Sequence, residues 1–418
     1  MQFIKYNNYN ILLIPNKNSE VVLIESYINS GCVNETNKNL GISHLAEHVI
    51  CSGWKKCKTN CFNYWKKKGV IINAMTSDTY VKYYINGLKK HTVEMLDYII
   101  SITINPEIKK SRIEKEKTSV KQELNMYLND PAYPIYNETN KLLFNIEGLI
   151  LQDDMKIQKK NLPLLNAQDL KKWHETYYTS NNILFTVTGD FNKVFVLQKM
   201  KRLLKNSNSV SLPPLYNNVF RPGFEIKYIK TRSSPHTNVC FAFYNDFNYS
   251  NNNYIYIDFI KNFINTSLTS ILFNLLREKM KLIYSINFFN STNQYGSFFT
   301  IHTTCDHENT KLLIHNTIRV LNDLVNGKYK PQYIKYIKDL FITEHYNKCK
   351  QHSYYSKFYS IQYLNQLNSH NKHIITIDEY VNLIKKLTKT KINRLLKETF
   401  NIENMKIIYK GSRNFKLV

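Results

Sequence analysis

The chain has 418 residues with a hydrophobic share of 43%, enough for a sizeable core and for more than one domain. Its 57 Lys and Arg against 32 Asp and Glu give a formal charge of +25, but Lys far outnumbers Arg in an Asn-, Ile- and Tyr-rich chain, as AT-rich coding favours. The basic residues form short clusters such as Trp65 to Lys68 rather than a stripe interleaved with aromatics, which argues against nucleic acid as the partner. No apolar run approaches the roughly 18 residues of a membrane span, and Met1 to Asn10 resembles neither a signal nor a transit peptide, so the sequence predicts a soluble, intracellular protein.

Seven cysteines, an odd number without C-x-x-C spacing, fit free thiols in a reducing compartment better than a disulfide framework. Cys51, three residues past His48, reads as a small buried hydrophobe.

In chain order, Ile11 to Ile14 and Val21 to Ile28 are predicted strands separated by the turn residues Pro15-Asn16-Lys17-Asn18. A polar loop leads to Gly41 and a helix. Val70 to Thr76 and Thr79 to Ile85 read as two more strands, and a helix from His91 ends before Pro106. Lys109 to Leu128 is a long helix on which Glu116, Val120, Glu123 and Tyr127 share one face. A helix over Asn166 to Tyr177, a buried-type strand over Ile183 to Thr188 and a helix over Lys193 to Leu204 follow.

Asn206 to Phe224, rich in Asn, Ser and Pro, is the linker candidate. Beyond it the order strand, strand, polar loop, helix begins again: strands at Phe224 to Ile229 and Asn238 to Tyr244, then a helix at Ile255 to Ile264. A helix at Leu268 to Lys279, strands near Tyr284 to Phe289 and at Ser297 to Thr304, a helix at Thr310 to Val325 and a final strand at Lys406 to Tyr409 complete it. The expected fold class is α+β, two homologous halves, each a mixed β-sheet packed with helices. The expected division is 1–210 as the half bearing the candidate metal residues, 211–223 as linker, and 224–418 as the second half.

The motif that organises the chain is His44-Leu45-Ala46-Glu47-His48 within Gly41 to Gly53. On a helix, His44 and His48 stack one turn apart and point the same way. Two such imidazoles supply half of a zinc site, and the adjacent Glu47 can take a proton from a water on the metal. The H-x-x-E-H order is the inverzincin signature. The bland alternative is a polar helix face without metal.

Further motifs in the right order carry a resemblance over nearly the whole chain. They are Glu123 with Glu116 two turns before it, Asn73-Ala74-Met75-Thr76 with Tyr80, Tyr178 with Asn181-Asn182 and Gly189-Asp190, and Leu276-Arg277-Glu278-Lys279-Met280-Lys281-Leu282-Ile283-Tyr284. The chain resembles the pitrilysin/insulysin-type zinc metallopeptidases, above all their short-chain branch, which is similar to the mitochondrial processing peptidase. The resemblance implies one Zn²⁺ per chain held by His44, His48 and Glu123, with Glu47 as general base and Glu116 supporting the ligands. It implies that Arg277 and Tyr284 hold the substrate backbone and the oxyanion, and that the strand carrying Asn73 and Ala74 takes an extended peptide as an added strand. It further implies a dimer, either a homodimer or a pair with a related chain. Two positions depart from the pattern: Lys281 replaces a glycine, and no Gly-Thr segment precedes Asn166. The function expected is a zinc metalloendopeptidase acting on extended or unfolded peptides. The alternatives are a non-catalytic structural or assembly subunit of the same fold and a basic, nucleic-acid-associated scaffold.

Overall fold

The computed structural model describes residues 1–57, 60–204, 219–231, 234–248, 253–265, 271–367 and 373–415. The chain forms two compact units. The first comprises Met1–Asp130, Glu147–Pro214 and Lys348–Ile374; the second comprises Pro131–Ile146, Leu215–Asn347 and Ile375–Val418. Most of the expected 211–223 segment lies outside the described residues.

In the first unit, strands β1 (Gln2–Tyr6), β2 (Tyr9–Pro15), β3 (Val21–Ile28), β4 (Ile71–Thr76), β5 (Val81–Leu88) and β6 (Ile183–Gly189) form one sheet in the order β1-β2-β6-β3-β5-β4. Only β2 and β6 run parallel, so the sheet is mixed, as expected. Strands β2, β3 and β6 are almost wholly buried, as their unbroken apolar runs require. Strand β4 is at the edge and, among the described residues, pairs with β5 alone. Helices α1 (Ile42–Cys51), α2 (Cys61–Lys66), α3 (Thr92–Ile104) and α4 (Lys110–Leu128) come from the segments on either side of β4 and β5. Leu45, Val49 and Ile50 of α1, Leu96 and Ile99 of α3, and Val120 and Leu124 of α4 join the sheet's apolar face in one core.

In the second unit, β7 (Glu225–Lys230), β8 (His236–Asn245), β9 (Ile286–Thr292), β10 (Ser297–Asp306) and β11 (Lys406–Gly411) pair in the order β7-β11-β8-β10-β9. Again only one pair, β7 with β11, is parallel. Strand for strand, β2-β6-β3-β5-β4 and β7-β11-β8-β10-β9 have the same plan, with the last strand of each half inserted between its first two. The two halves are homologous, and β1 is an addition to the first.

Each sheet also takes a helix from outside its own stretch of sequence. Helix α5 (Tyr133–Leu143) packs on β8 and β11 of the second unit. The helix His352–Asn365 packs on β3 and β6 of the first. Two local expectations need correction. The helix expected over Leu268 to Lys279 is a short α-segment Ile271–Phe273 followed by a π-turn Asn274–Lys279, and 268–270 lie outside the described residues. The strand expected near Tyr284 begins at Ile286, leaving Tyr284 in the preceding turn.

Candidate metal centre

Gly41 opens α1 at φ 92° and has no side chain to cap the helix. Glu35 fills that role from the preceding loop: its Oε2 accepts the Gly41 N–H at 2.8 Å, and its Oε1 accepts the Ser43 N–H at 2.8 Å and the Ser43 hydroxyl. A carboxylate at this end also suits the helix dipole, while burial pushes its pKa up against the pull of these bonds. Glu35 thus fixes the first turn of the helix that carries His44, Glu47 and His48.

The helical period puts the rings of His44 and His48 edge to face, with centroids 4.9 Å apart. Helix α4 crosses behind and presents Glu123 to both. Glu123 Oε2 lies 3.3 Å from His44 Nε2 and 3.5 Å from His48 Nε2. Ligand atoms about 2.0–2.1 Å from a tetrahedral zinc lie roughly 3.3 Å apart, so this donor set fits a zinc ion. One donor atom from each of the three residues falls within 4.8 Å of the others, and no other such cluster occurs among the described residues. The hydrogen bond to His44 lowers the Glu123 pKa, burial opposes it, and the His48 and His44 charges add to the lowering. A deprotonated carboxylate is the form a metal needs.

The other ring nitrogen of His48, Nδ1, lies 3.5 Å from Glu116 Oε2. Glu116 Oε1 accepts the Ser52 hydroxyl at 3.2 Å, and that hydroxyl also reaches His48 O at 3.0 Å. An Nδ1–H held by Glu116 leaves the Nε2 lone pair facing Glu123. Burial disfavours the charged ring of His48, yet the bond to Glu116 and the charges of Glu47, Glu123 and Glu116 together raise its pKa.

Glu47 is 9% exposed and does not join the three donors. It points toward β4, where Thr76 Oγ1 donates to its Oε2 at 3.0 Å. Burial raises its pKa, against the His44 and His48 charges and the Thr76 bond. A carboxyl raised toward neutrality is suited to taking and returning a proton. Asn73 and Ala74 lie on the same edge strand, Asn73 exposed and Ala74 half-buried, with the Ala74 N–H donating to Asn73 Oδ1 at 2.8 Å.

Arg277 and Tyr284 belong to the second unit, and there they meet: the guanidinium lies 5.2 Å from the Tyr284 ring centre, within cation–π range. Arg277 Nη1 also donates to Ile283 O at 2.8 Å, and Tyr284 is 67% exposed. Between them Lys281 adopts φ 55°, so the turn keeps the left-handed backbone that a glycine would favour.

Sequence reasoning missed Glu35, Ser52 and the bond from Thr76. A helix that starts at Gly-Ile-Ser has no cap of its own, which was a signal that an upstream acceptor such as Glu35 is needed.

A repeated mixed sheet, with an H-x-x-E-H helix crossed by a carboxylate-bearing helix in its first copy, defines a peptidase-type fold with one group of residues that could hold a metal ion. Residues 10–143 match the family model described as "Insulinase (Peptidase family M16)", and residues 165–341 match "Peptidase M16 inactive domain". The chain is 24% identical over 301 residues to the "Uncharacterized zinc protease YmxG" of Bacillus subtilis (strain 168), covering 71% of each. It is 23% identical over 189 residues to "Mitochondrial-processing peptidase subunit beta" of Dictyostelium discoideum, covering 45% of this chain and 40% of that one. The crystal structure of a protease from Helicobacter pylori superposes with a TM-score of 0.87 at 19% identity, covering 98% of this chain and 99% of that one. The chain belongs to the insulinase family, peptidase family M16. No helix among the described residues is long and apolar enough to cross a membrane.

Proposed function

We propose that this chain is a zinc metalloendopeptidase that hydrolyses extended or unfolded peptides. The observation that carries the reading is the convergence of His44, His48 and Glu123, with the buried Glu47 beside them on the same helix, outside the donor set but within reach of the His44 and His48 charges. Zinc held by those three residues supplies a Lewis acid that polarises a peptide carbonyl and strengthens the acidity of water.

The chain's own residues do the rest. Glu47, steadied on Oε2 by Thr76, takes the proton of the attacking water and returns it to the leaving amine. Glu116 holds His48 by Nδ1 and fixes the ring's orientation. The edge of β4 left open among the described residues, with Asn73 and Ala74, receives the peptide by main-chain hydrogen bonds, which favours unfolded segments over particular sequences. Arg277 and Tyr284, a charged donor beside an exposed phenol, suit the substrate backbone and the negative charge that develops on the carbonyl oxygen. The working form is a dimer, of two copies or with a related chain; the relative named as a processing-peptidase beta subunit supports an assembly of this kind.

The test is cleavage of quenched, unstructured peptides by the purified chain and by Glu47→Gln, with zinc content measured on both. The expected result is about one zinc in each and a fall in kcat of at least about 100-fold in the variant. A folded sample that takes up no zinc would overturn the reading. Zinc without cleavage in either protein would favour a non-catalytic subunit.

A further inference from the structure

A concave site lies in the first unit, between the segment that follows α1 and the start of α4. It is a cavity of about 500 Å³, within the size range of sites for small organic ligands. It shares one wall, Ser52 and Glu116, with the support of His48, but none of the three metal-centre residues lines it.

Its charges do not cancel. Of the two lining carboxylates, Glu107 is taken up by Lys109 at 2.7 Å and by Arg112 at 3.1 Å. Glu116 is taken up by Ser52 and His48. The remaining cations among the described lining residues, Lys55 and Lys115, are exposed and have no ion-pair partner among the described residues. Ser111 adds a hydroxyl, and Asn60 accepts the Asn63 N–H through Oδ1, which leaves its amide donors available. The Phe62 ring, 46% exposed, forms an apolar stretch of the same wall.

We propose that this cavity binds a small phosphate ester carrying a flat apolar group. A phosphate monoester brings close to two negative charges at pH 7, which matches two uncommitted lysines, whereas a single carboxylate brings one. Ammonium groups suit phosphate as point charges, and the hydroxyl and amide donors serve its remaining oxygens. Phe62 covers the apolar end. The inference does not depend on the peptidase reading.

The test is calorimetric titration of the full chain with phenyl phosphate, inorganic phosphate and benzoate. Phenyl phosphate is expected to bind one to one with a Kd below about 1 mM, with benzoate at least about tenfold weaker and inorganic phosphate in between. Lys55→Ala with Lys115→Ala weakens phenyl phosphate about tenfold or more, and Lys115→Gln alone does so by less. Both lysines are exposed, so an unchanged unfolding midpoint will verify the fold. Phe62→Ala brings phenyl phosphate close to inorganic phosphate. His44→Ala leaves binding intact, which separates this site from phosphate captured at the metal centre. The proposal is overturned by absence of binding, by binding unchanged in the double lysine variant, by loss in His44→Ala, or by benzoate binding as tightly as phenyl phosphate.

Discussion

Glu35 accepts both the N–H and the hydroxyl of Ser43, one residue before His44. The loop carboxylate is the cap of the metal-centre helix, because Gly41 offers none. An amide cannot reproduce this: in Glu35→Gln only one terminal oxygen accepts, and the NH₂ faces an N–H. One donor of the first turn is left unpaired in a buried place, at a cost of about 1–3 kcal/mol. Glu35→Gln should therefore lower stability by that amount in urea unfolding. It should also weaken zinc uptake, since His44 and His48 lose their fixed starting turn. Unchanged stability would mean that Glu35 is not the cap.

Lys281 sits at φ 55°, in the left-handed region that favours glycine. Left-handed backbone costs a non-glycine residue about 1–2 kcal/mol, and glycine returns part of that through the greater freedom of its unfolded chain. Its exposed pair with Glu278, at 3.6 Å, contributes little. Lys281→Gly is expected to raise stability by roughly 0.5–1 kcal/mol, and Lys281→Val to lower it. Thermal unfolding of the three proteins checks both signs.

The grouping of the candidate metal ligands was legible because these residues obey the helix period. His44 and His48 lie one turn apart on α1, and Glu116 and Glu123 lie two turns apart on α4, so spacing alone puts each pair on one face. Strand β3 falls where its apolar run predicts, at Val21–Ile28. Strand β1 was missed because Gln2–Tyr6 mixes polar and aromatic residues. Its signal lay in the turn: Asn7 and Asn8 both take positive φ, the two-residue hairpin turn for which Asn is suited. The π-turn at Asn274–Lys279 could not be read, since an apolar period does not distinguish a wide turn from a normal one. Nor could the exchange of helices. The pattern of Tyr133–Leu143 or His352–Asn365 says that a face is buried, but nothing local says against which sheet.

A buried carboxylate is one of the ties between the helix His352–Asn365 and its sheet, beside the Thr186–Ser360 hydroxyl pair at 3.0 Å. Glu25, 1% exposed on β3, accepts from Lys82 Nζ at 3.2 Å, from Tyr27 OH at 3.2 Å and from the Ser356 hydroxyl. Removing one partner of a buried pair strands the other charge. Lys82→Met should cost about 2–4 kcal/mol, somewhat below the usual figure because Lys82 keeps some contact with water. Glu25→Leu combined with Lys82→Met should recover at least half of the loss. A double-mutant cycle in urea unfolding measures this, and strictly additive losses would mean that the two residues do not interact.

His302, on β10, is packed between the rings of Tyr136 and Phe289 at 5.2 and 5.4 Å, with Cys240 Sγ 3.6 Å from its Nε2. Burial lowers its pKa from 6.5 to about 4. A histidine held neutral in the fold but free to charge when unfolded gives the unfolded state more bound protons below pH 6.5. Its contribution to stability is therefore fully present above about pH 6.5, is lost progressively as pH falls toward 4, and changes no further below that. The loss is on the order of 3 kcal/mol. Urea unfolding of the second unit, followed by a probe placed within it, should show this decline between pH 6.5 and 4. In His302→Phe, which cannot be protonated, that part of the slope should vanish even if the larger ring lowers stability at every pH. An identical slope in the variant would assign the acid sensitivity to other groups.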